Sequence, residues 1–263
     1  MRIAIFHDYV EDEVPGGANL TLRRLVKTAP RNVKVVWLSD LLQLNYYQNV
    51  IVANTRSISN ITLEQALEGK QYVKIHFDYR YVPPKIIKDA VLLVYMSPKQ
   101  RNDMLGRLTG YKSYVMPSLV DPDMFSLGNG KGHLWVGNYS RQKGIRNLWE
   151  WAEKNETHID LYGFGVPKVY LGQSKYCHVK VPVLHNQMPD LYRRYKTLVH
   201  LPKGREAGSR VFIEALLSGL SILTNEMEGD LSFDRPYSID RWRSRLRTAP
   251  KRFWQIAIEA LQT

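Results

Sequence analysis

The sequence predicts an α/β protein of two successive Rossmann-like halves, each a parallel sheet with its own helices, with a cleft between them. Three observations point there. Short apolar runs alternate with helical patterns along the chain, the order that crossover connections impose on parallel strands. Glycine-rich turns follow several of these runs, where a strand end meets a helix start. The stretch Leu127-Gly128-Asn129-Gly130-Lys131-Gly132 interrupts the pattern as a linker would, and strand–loop–helix units restart after it. Domains at 1–127 and 131–240 follow from this, with a helix at about 245–263 expected to pack back on the first domain.

In the first half, Arg2 to Phe6 is a buried-type strand with His7-Asp8-Tyr9 at its carboxyl end. The loop Pro15-Gly16-Gly17 leads into a helix from Ala18 to Thr28 whose inward residues are Leu20, Leu22, Leu25 and Val26. Further strands are expected at Val33 to Leu38, Val50 to Ala53, Tyr72 to His76, Val91 to Met96 and Tyr114 to Pro117. Asn54, Thr55 and Arg56 end the third strand, and a helix runs from Ser97-Pro98-Lys99 to about Leu108. A lone histidine at a strand end, such as His76, is more often structural than functional.

In the second half, His133 to Val136 is a strand, followed by a loop from Gly137 and Asn138 through Lys143 and Gly144 and a helix from Ile145 carrying Leu148, Trp149 and Trp151. Ile159 to Tyr162 is the next strand and stops at the turn Gly163-Phe164-Gly165. Val179 to Val183 leads to Leu184-His185-Asn186, and Met188 to Tyr195 reads as a short helix. The run Leu198 to Leu201 stops at Pro202, and a charged, glycine-bearing loop follows. A helix then places Val211, Ile213, Ala215, Leu216 and Leu217 on one side, ends at Gly219 and gives way to a strand at Leu220 to Leu223.

That last loop has the chemistry to hold an anion. Gly208 permits close backbone approach, and Ser209 and Arg210 open a helix, where free N–H groups and the dipole favour phosphate. Glu206 and Glu214 flank the loop eight residues apart. One carboxylate can take two vicinal hydroxyls, so an anion cradle between two acids suits a sugar nucleotide. The competing reading makes Glu206 a solvated loop acid and Glu214 a helix-surface acid.

Composition narrows the class. The chain has 263 residues, 44% of them hydrophobic, enough for two cores. It contains no apolar run of the length that crosses a bilayer and opens directly on a strand, so neither a membrane span nor a signal peptide is expected. The single Cys177 excludes an internal disulfide and fits a reducing compartment, so the expected location is cytoplasmic, the host cytoplasm if the chain is viral. No second Cys/His cluster accompanies Cys177-His178, and no metal is assigned. The net charge of +12 favours a polyanionic partner, nucleic acid or an anionic membrane surface, over plain solubility charge. The tail concentrates this charge. Arg235, Arg241, Arg243, Arg245, Arg247, Lys251 and Arg252 are interleaved with Tyr237, Trp242, Phe253 and Trp254. They form either a phosphate-tracking surface with stacking side chains or core aromatics beside solvated arginines. Phe253, Ile256, Ala257 and Leu261 fall at helical spacing.

The segment E-A-G-S-R-V-F-I-E-A-L-L-S-G-L-S-I-L-T-N, with Ser218-Gly219 and its following apolar strand, resembles the E-x7-E region of retaining GT-B glycosyltransferases of the GT4-like group. The resemblance extends in order over nearly the whole chain: Gly16-Gly17, His76, Val120-Asp121 with Phe125, Lys143-Gly144 and Gly163-Phe164-Gly165. It implies the GT-B fold in a compact, phage-type member and a nucleotide-diphosphate sugar donor, a UDP-sugar first, with no separate cofactor. It implies that Glu214 binds the ribose hydroxyls, that Glu206 contacts the donor sugar, and that Gly208, Ser209 and Arg210 lie near the diphosphate. His76 would stand near the transferred sugar, Lys143 would neutralise the diphosphate, and His185 would lie in the nucleobase region. His76, Lys143 and Glu206 are thus the implied catalytic residues, and Gly16, Gly17, Gly137, Asn138 and Gly163 join the donor-binding set. Asn138 stands where the family usually has arginine, leaving Arg141 or Arg210 as substitutes or the donor site weakened. Asp121-Pro122-Asp123 fits a metal-binding D-x-D, but its flanks match the GT-B segment and no metal is implied. The acceptor reading is a hydroxymethylated base in DNA, reached through the basic surface. The alternatives are a lipid-linked sugar or polysaccharide at the membrane face, or a catalytically silent sugar-nucleotide or DNA-binding protein. No obligate protein partner is implied.

Overall fold

The computed structural model describes residues 1–263 except 8–15, 54, 56–57, 107–109, 166 and 234–237. The expectations placed on Asp8, Tyr9, Pro15, Asn54, Arg56, Leu108, Arg235 and Tyr237 therefore lie outside the described residues. The chain divides into two units, Met1–Leu119 with Leu246–Thr263, and Val120–Arg245.

The first unit contains β1 (Arg2–Phe6), α1 (Gly17–Lys27), β2 (Lys34–Leu38), β3 (Asn49–Val52), α2 (Asn60–Leu67), β4 (Gln71–His76), α3 (Pro84–Asp89), β5 (Leu92–Tyr95), α4 (Pro98–Leu105) and β6 (Ser113–Val115). Its strands form one parallel sheet in the order β2-β1-β3-β4-β5-β6. Its central strands are buried beyond their first residues on both faces, which is why they read as continuous apolar runs rather than alternating ones. The inward face of α1 differs from the apolar expectation. Asn19, Thr21, Leu22 and Leu25 are buried, and Leu20 and Val26 only partly so. Each polar residue has a partner inside: Asn19 bonds the ring of His7, and the Thr21 hydroxyl accepts the Leu119 N–H at 3.2 Å.

The second unit contains β7 (His133–Asn138), α5 (Ile145–Lys154), β8 (Ile159–Phe164), α6 (Val169–Gln173), β9 (Cys177–Lys180), α7 (Met188–Arg193), β10 (Thr197–His200), α8 (Arg210–Leu217) and β11 (Ser221–Thr224). All its strand pairs are parallel, in the order β11-β10-β7-β8-β9. The chain is thus α/β with two Rossmann-like parallel sheets. The glycines read as a linker are packed: a Cβ on Gly128 would stand 2.5 Å from the Arg193 Cα, and one on Gly130 2.0 Å from the Arg194 carbonyl carbon. Gly128 N–H also donates to Ser218 O at 3.0 Å.

Helix α9 (Ile239–Gln262) carries the basic tail. Its aromatics are core rather than stacking platforms, since Trp242, Phe253 and Trp254 are all buried. Arg243 is structural too: its guanidinium caps the carbonyls of Pro122, Phe125 and Leu217. Arg241, Arg247, Lys251 and Arg252 are exposed. In the first unit the Trp254 indole donates to Leu25 O at 2.9 Å. Replacing Trp254 by alanine should cost about 3–5 kcal/mol. The phenylalanine variant, which loses chiefly that hydrogen bond, should cost about 1–2 kcal/mol. Equilibrium urea denaturation of both variants checks the ranking.

Candidate functional site

In the second unit the sheet grows from β7 through β8 to β9, then resumes on the other side of β7 with β10 and β11. The order therefore reverses between β7 and β10, and a crevice beyond the carboxyl ends at such a point is where ligands find room. These two strands pair only at Thr197 with His133 and Leu198 with Leu134, while β7 runs on to Asn138 and β10 to His200. They part toward their carboxyl ends, and the loops 139–144 and 201–209 leave from the gap.

Backbone contacts lock these two loops together. Lys203 N–H and Gly204 N–H both donate to Gln142 O, at 3.0 and 3.3 Å. Asn147 donates to Leu201 O at 3.3 Å, and Asn225 to Pro202 O at 2.9 Å. Gly144 lies in the left-handed region at φ +69°, and a Cβ there would stand 1.8 Å from the Leu201 carbonyl oxygen. Only glycine satisfies both conditions. The residue beside it, Lys143, is aimed across the gap: its Nζ meets Glu206 Oε2 at 2.7 Å, with the two side chains 29% and 15% exposed. Glu206 is not a free loop acid, because its N–H donates to Met227 O at 2.9 Å and it forms a parallel bridge with Glu228.

Glu214 is not a surface acid either. Phe212 through Leu217 are all buried, and Glu214 sits among them. Its Oε1 accepts from Arg210 at 3.0 Å and lies 3.5 Å from His185 Nε2, while Oε2 accepts from the Tyr192 hydroxyl at 3.2 Å. Burial alone would raise its pKa; Arg210 first, then His185 and Tyr192, outweigh that and hold it below the ordinary 4.5. The same burial, with the Glu214 charge beside it, pushes the Tyr192 phenol well up.

Several expectations are corrected by this geometry. Arg210 is paired with Glu214 and with His185 Nε2 at 3.3 Å. Ser209 offers no free N–H at the start of α8, because that group donates to Asp230 Oδ2 at 2.7 Å. Gly137 and Gly163 lie inside strands and pair with each other across β7 and β8. A Cβ on Gly163 would meet Gly137 O, Trp135 and Tyr139, each at 2.8 Å, so these glycines make room for the stacked Trp135 and Tyr139 rings. Asn138 is exposed at the end of β7, and Gly208 is partly buried.

Lys143, Glu206, Gly208, Ser209, Arg210, Glu214 and His185 belong to the second unit; Gly16, Gly17 and His76 belong to the first. Gly16 and Gly17 are exposed at the start of α1. His76 closes β4, is buried, and stacks flat on Tyr95 with ring centroids 4.8 Å apart. Its Nε2 has no hydrogen-bond partner among the described residues, and it lines a pocket with Thr55, Asn60, Lys74, Asp78 and Arg80. Burial, and secondarily Lys74, lowers its pKa to about 3, so the imidazole is neutral at physiological pH. Sequence reasoning missed Tyr192, His200, Glu228 and Asp230, which no spacing signature marks. Among the described residues no three His, Cys, Asp or Glu side chains converge as a metal site, and no helix is long and apolar enough to cross a membrane.

Two Rossmann-like units with these sheet orders define the GT-B fold found in glycosyltransferases. No family model and no curated protein matches the chain. Solved structures do match it over essentially its full length. HepE from Anabaena, solved in complex with UDP and glucose, is 14% identical, with a TM-score of 0.67 over 100% of this chain and 97% of that one. Sucrose-phosphate synthase from Thermosynechococcus elongatus is 15% identical, at a TM-score of 0.69 over 99% of this chain and 96% of that one. A glycosyltransferase from Rickettsia africae is 11% identical, at 0.68 over 100% and 99%. At such identities the likeness is one of fold.

Two outcomes test the site's construction. Gly144→Ala should destabilise the protein by about 2–4 kcal/mol through overpacking and strain at positive φ, read as a lowered thermal midpoint. Glu214, with its folded pKa below 4.5, contributes stability that is present above that pH and lost as the pH falls through the folded value. The wild-type midpoint should therefore fall on acidification below 4.5, and Glu214→Gln should flatten that part of the profile.

Proposed function

We propose that the protein is a retaining glycosyltransferase that takes a sugar from a nucleotide-diphosphate donor, a UDP-sugar first, and binds that donor in the crevice between β7 and β10. The observation that carries this reading is the pair of acids on either side of the α8 start, each already matched to a cation: Glu206 to Lys143 in the partly open crevice, Glu214 to Arg210 inside. A diphosphate entering beside Lys143 competes with Glu206 for its ammonium and frees that carboxylate for the hydroxyls of the sugar. His185, 30% exposed and the longest contact of Glu214, is the partner a ribose diol displaces. The GT-B fold of the structural neighbours, one of them solved with UDP and glucose, supports the same class.

In the reaction so read, the bond from the anomeric carbon to the β-phosphate oxygen breaks as the acceptor hydroxyl bonds that carbon from the same face. The hydroxyl proton passes to the departing phosphate oxygen. No protein nucleophile and no metal take part. Catalysis comes from positioning and from Lys143 stabilising the leaving diphosphate. His76, neutral and buried at the end of β4, serves the sugar as a hydrogen-bonding group rather than as a charged acid.

For the acceptor we propose a hydroxymethylated base in DNA, supported by the net charge of +12 and the exposed Arg241, Arg247, Lys251 and Arg252. Burial of Trp242, Phe253 and Trp254 removes these three as stacking groups. This favours, as second reading, an anionic lipid-linked or polysaccharide acceptor at a membrane face, held by charge alone.

A mass-spectrometric transfer assay without added metal tests all of this, pairing UDP- and GDP-sugars with hydroxymethylcytosine duplex, plain duplex and a lipid-sugar extract. The expected result is a hexose-mass gain on the modified duplex with the anomeric configuration kept, reduced about 100-fold or more by Lys143→Ala. Gain in the lipid fraction alone replaces the DNA acceptor with the second reading. Neither transfer nor donor hydrolysis would leave a silent binding protein.

A further inference from the structure

We infer that a buried chain, His200–Glu228–Asp230, positions the donor loop by holding Glu206 and Ser209 in place beside the crevice; the inference rests on the donor reading above. His200 Nε2 lies 2.9 Å from Glu228 Oε2, with both side chains almost wholly excluded from solvent. Glu228 Oε1 accepts the Asp230 N–H at 3.1 Å, and Asp230 Oδ2 accepts the Ser209 N–H at 2.7 Å. The chain thus ties the end of β10, the segment after β11 and the start of α8 to one another. Glu206 is attached at the same place, through its bond to Met227 O and its bridge to Glu228.

Apolar residues of similar size would fill this interior at lower cost than three titratable groups, so stability does not account for them. Glu228 and Asp230 are both at 0% exposure, and their carboxyls interact. Burial, with the Glu228 charge next, keeps the Asp230 carboxyl protonated well above its ordinary range. Asp230 Oδ1 has no hydrogen-bond partner among the described residues. A neutral Asp230 still offers Oδ2 to the Ser209 amide, and asparagine is its closest uncharged mimic. None of the three residues points at the donor; they act through the backbone that carries Glu206 and Ser209.

The test is a series at Asp230. Asp230→Leu keeps the branching without an acceptor, Asp230→Ala serves if the larger leucine overpacks, and Asp230→Asn keeps the acceptor. Amide hydrogen exchange at Ser209 and calorimetric titration with UDP are the two readouts. Leucine or alanine should speed Ser209 exchange and weaken UDP binding, each by about tenfold, as loss of one buried hydrogen bond implies. Asparagine should stay close to wild type in both. Wild-type values in the leucine and alanine variants, or equal losses in asparagine, overturn the inference. Faster exchange with UDP affinity unchanged also overturns it, since the loop is then held without consequence for the donor. A wild type that binds neither UDP nor GDP sinks the donor reading itself, and the exchange series still decides whether the chain holds the loop.

Discussion

A carboxylate buried in the middle of an apolar helix is the constraint around which the second unit is arranged. Glu214 lies where every neighbour from Phe212 to Leu217 is buried, and an unmatched charge there would be far too costly for the fold. Arg210, one turn earlier, supplies the counter-charge, and Tyr192 and His185 supply the remaining hydrogen-bonding groups. Meeting that demand joins α8 to α7 and to the turn before it. The chain of contacts continues outward: the Tyr192 ring packs 6.1 Å from Phe125, whose carbonyl is held by Arg243, which also caps Leu217 at the end of α8. One buried charge thereby specifies the placement of several segments far apart in sequence.

The crevice obeys a different rule. Its loops are joined through the backbone, with Gly144 pressed against Leu201 and Gln142 O receiving two amides. That leaves the Lys143 and Glu206 side chains free to hold each other without being needed to hold the loops. An ion pair that is partly solvated is worth little to stability. Its position where the strand order reverses is better explained by what it can exchange for.

Much of the architecture was legible in the sequence, because parallel strands buried on both faces leave uninterrupted apolar runs that helical patterns separate. The succession of strands along the chain followed from those runs, and the two-sheet division from the break between them; the order of strands within each sheet did not. Where glycine was read as the end of a strand, packing intervened: Gly137 and Gly163 continue β7 and β8 because their missing side chains admit Trp135 and Tyr139. The short helices α2 and α3 carried too little periodicity to be seen. The spacing of Glu206 and Glu214 brought both acids into view, and Lys143 and His185 came with the resemblance. Spacing does not reveal burial, so the commitment of Arg210 to Glu214 and of the Ser209 amide to Asp230 was hidden. His200, Glu228 and Asp230 meet across long separations in sequence, and nothing local announces them. The tail left two readings open for the opposite reason: arginine beside tryptophan looks alike whether the rings face water or, as Trp242 and Trp254 do, the core.

The two acids of one loop therefore have opposite stations. Glu214 is held in a closed, fully matched set, which suits a fixed point against which a nucleoside is measured. Glu206 is held by a single cation that is itself partly open. With asparagine at position 138 and Arg210 locked inside, Lys143 is the cation already in place where a diphosphate would arrive. On the proposed reading it cannot serve the phosphates fully while it serves Glu206. Donor entry would then release Glu206 at the moment a sugar hydroxyl becomes available to it, and an empty crevice would keep both charges neutralised. On that reading the Lys143 ammonium answers two anions in turn.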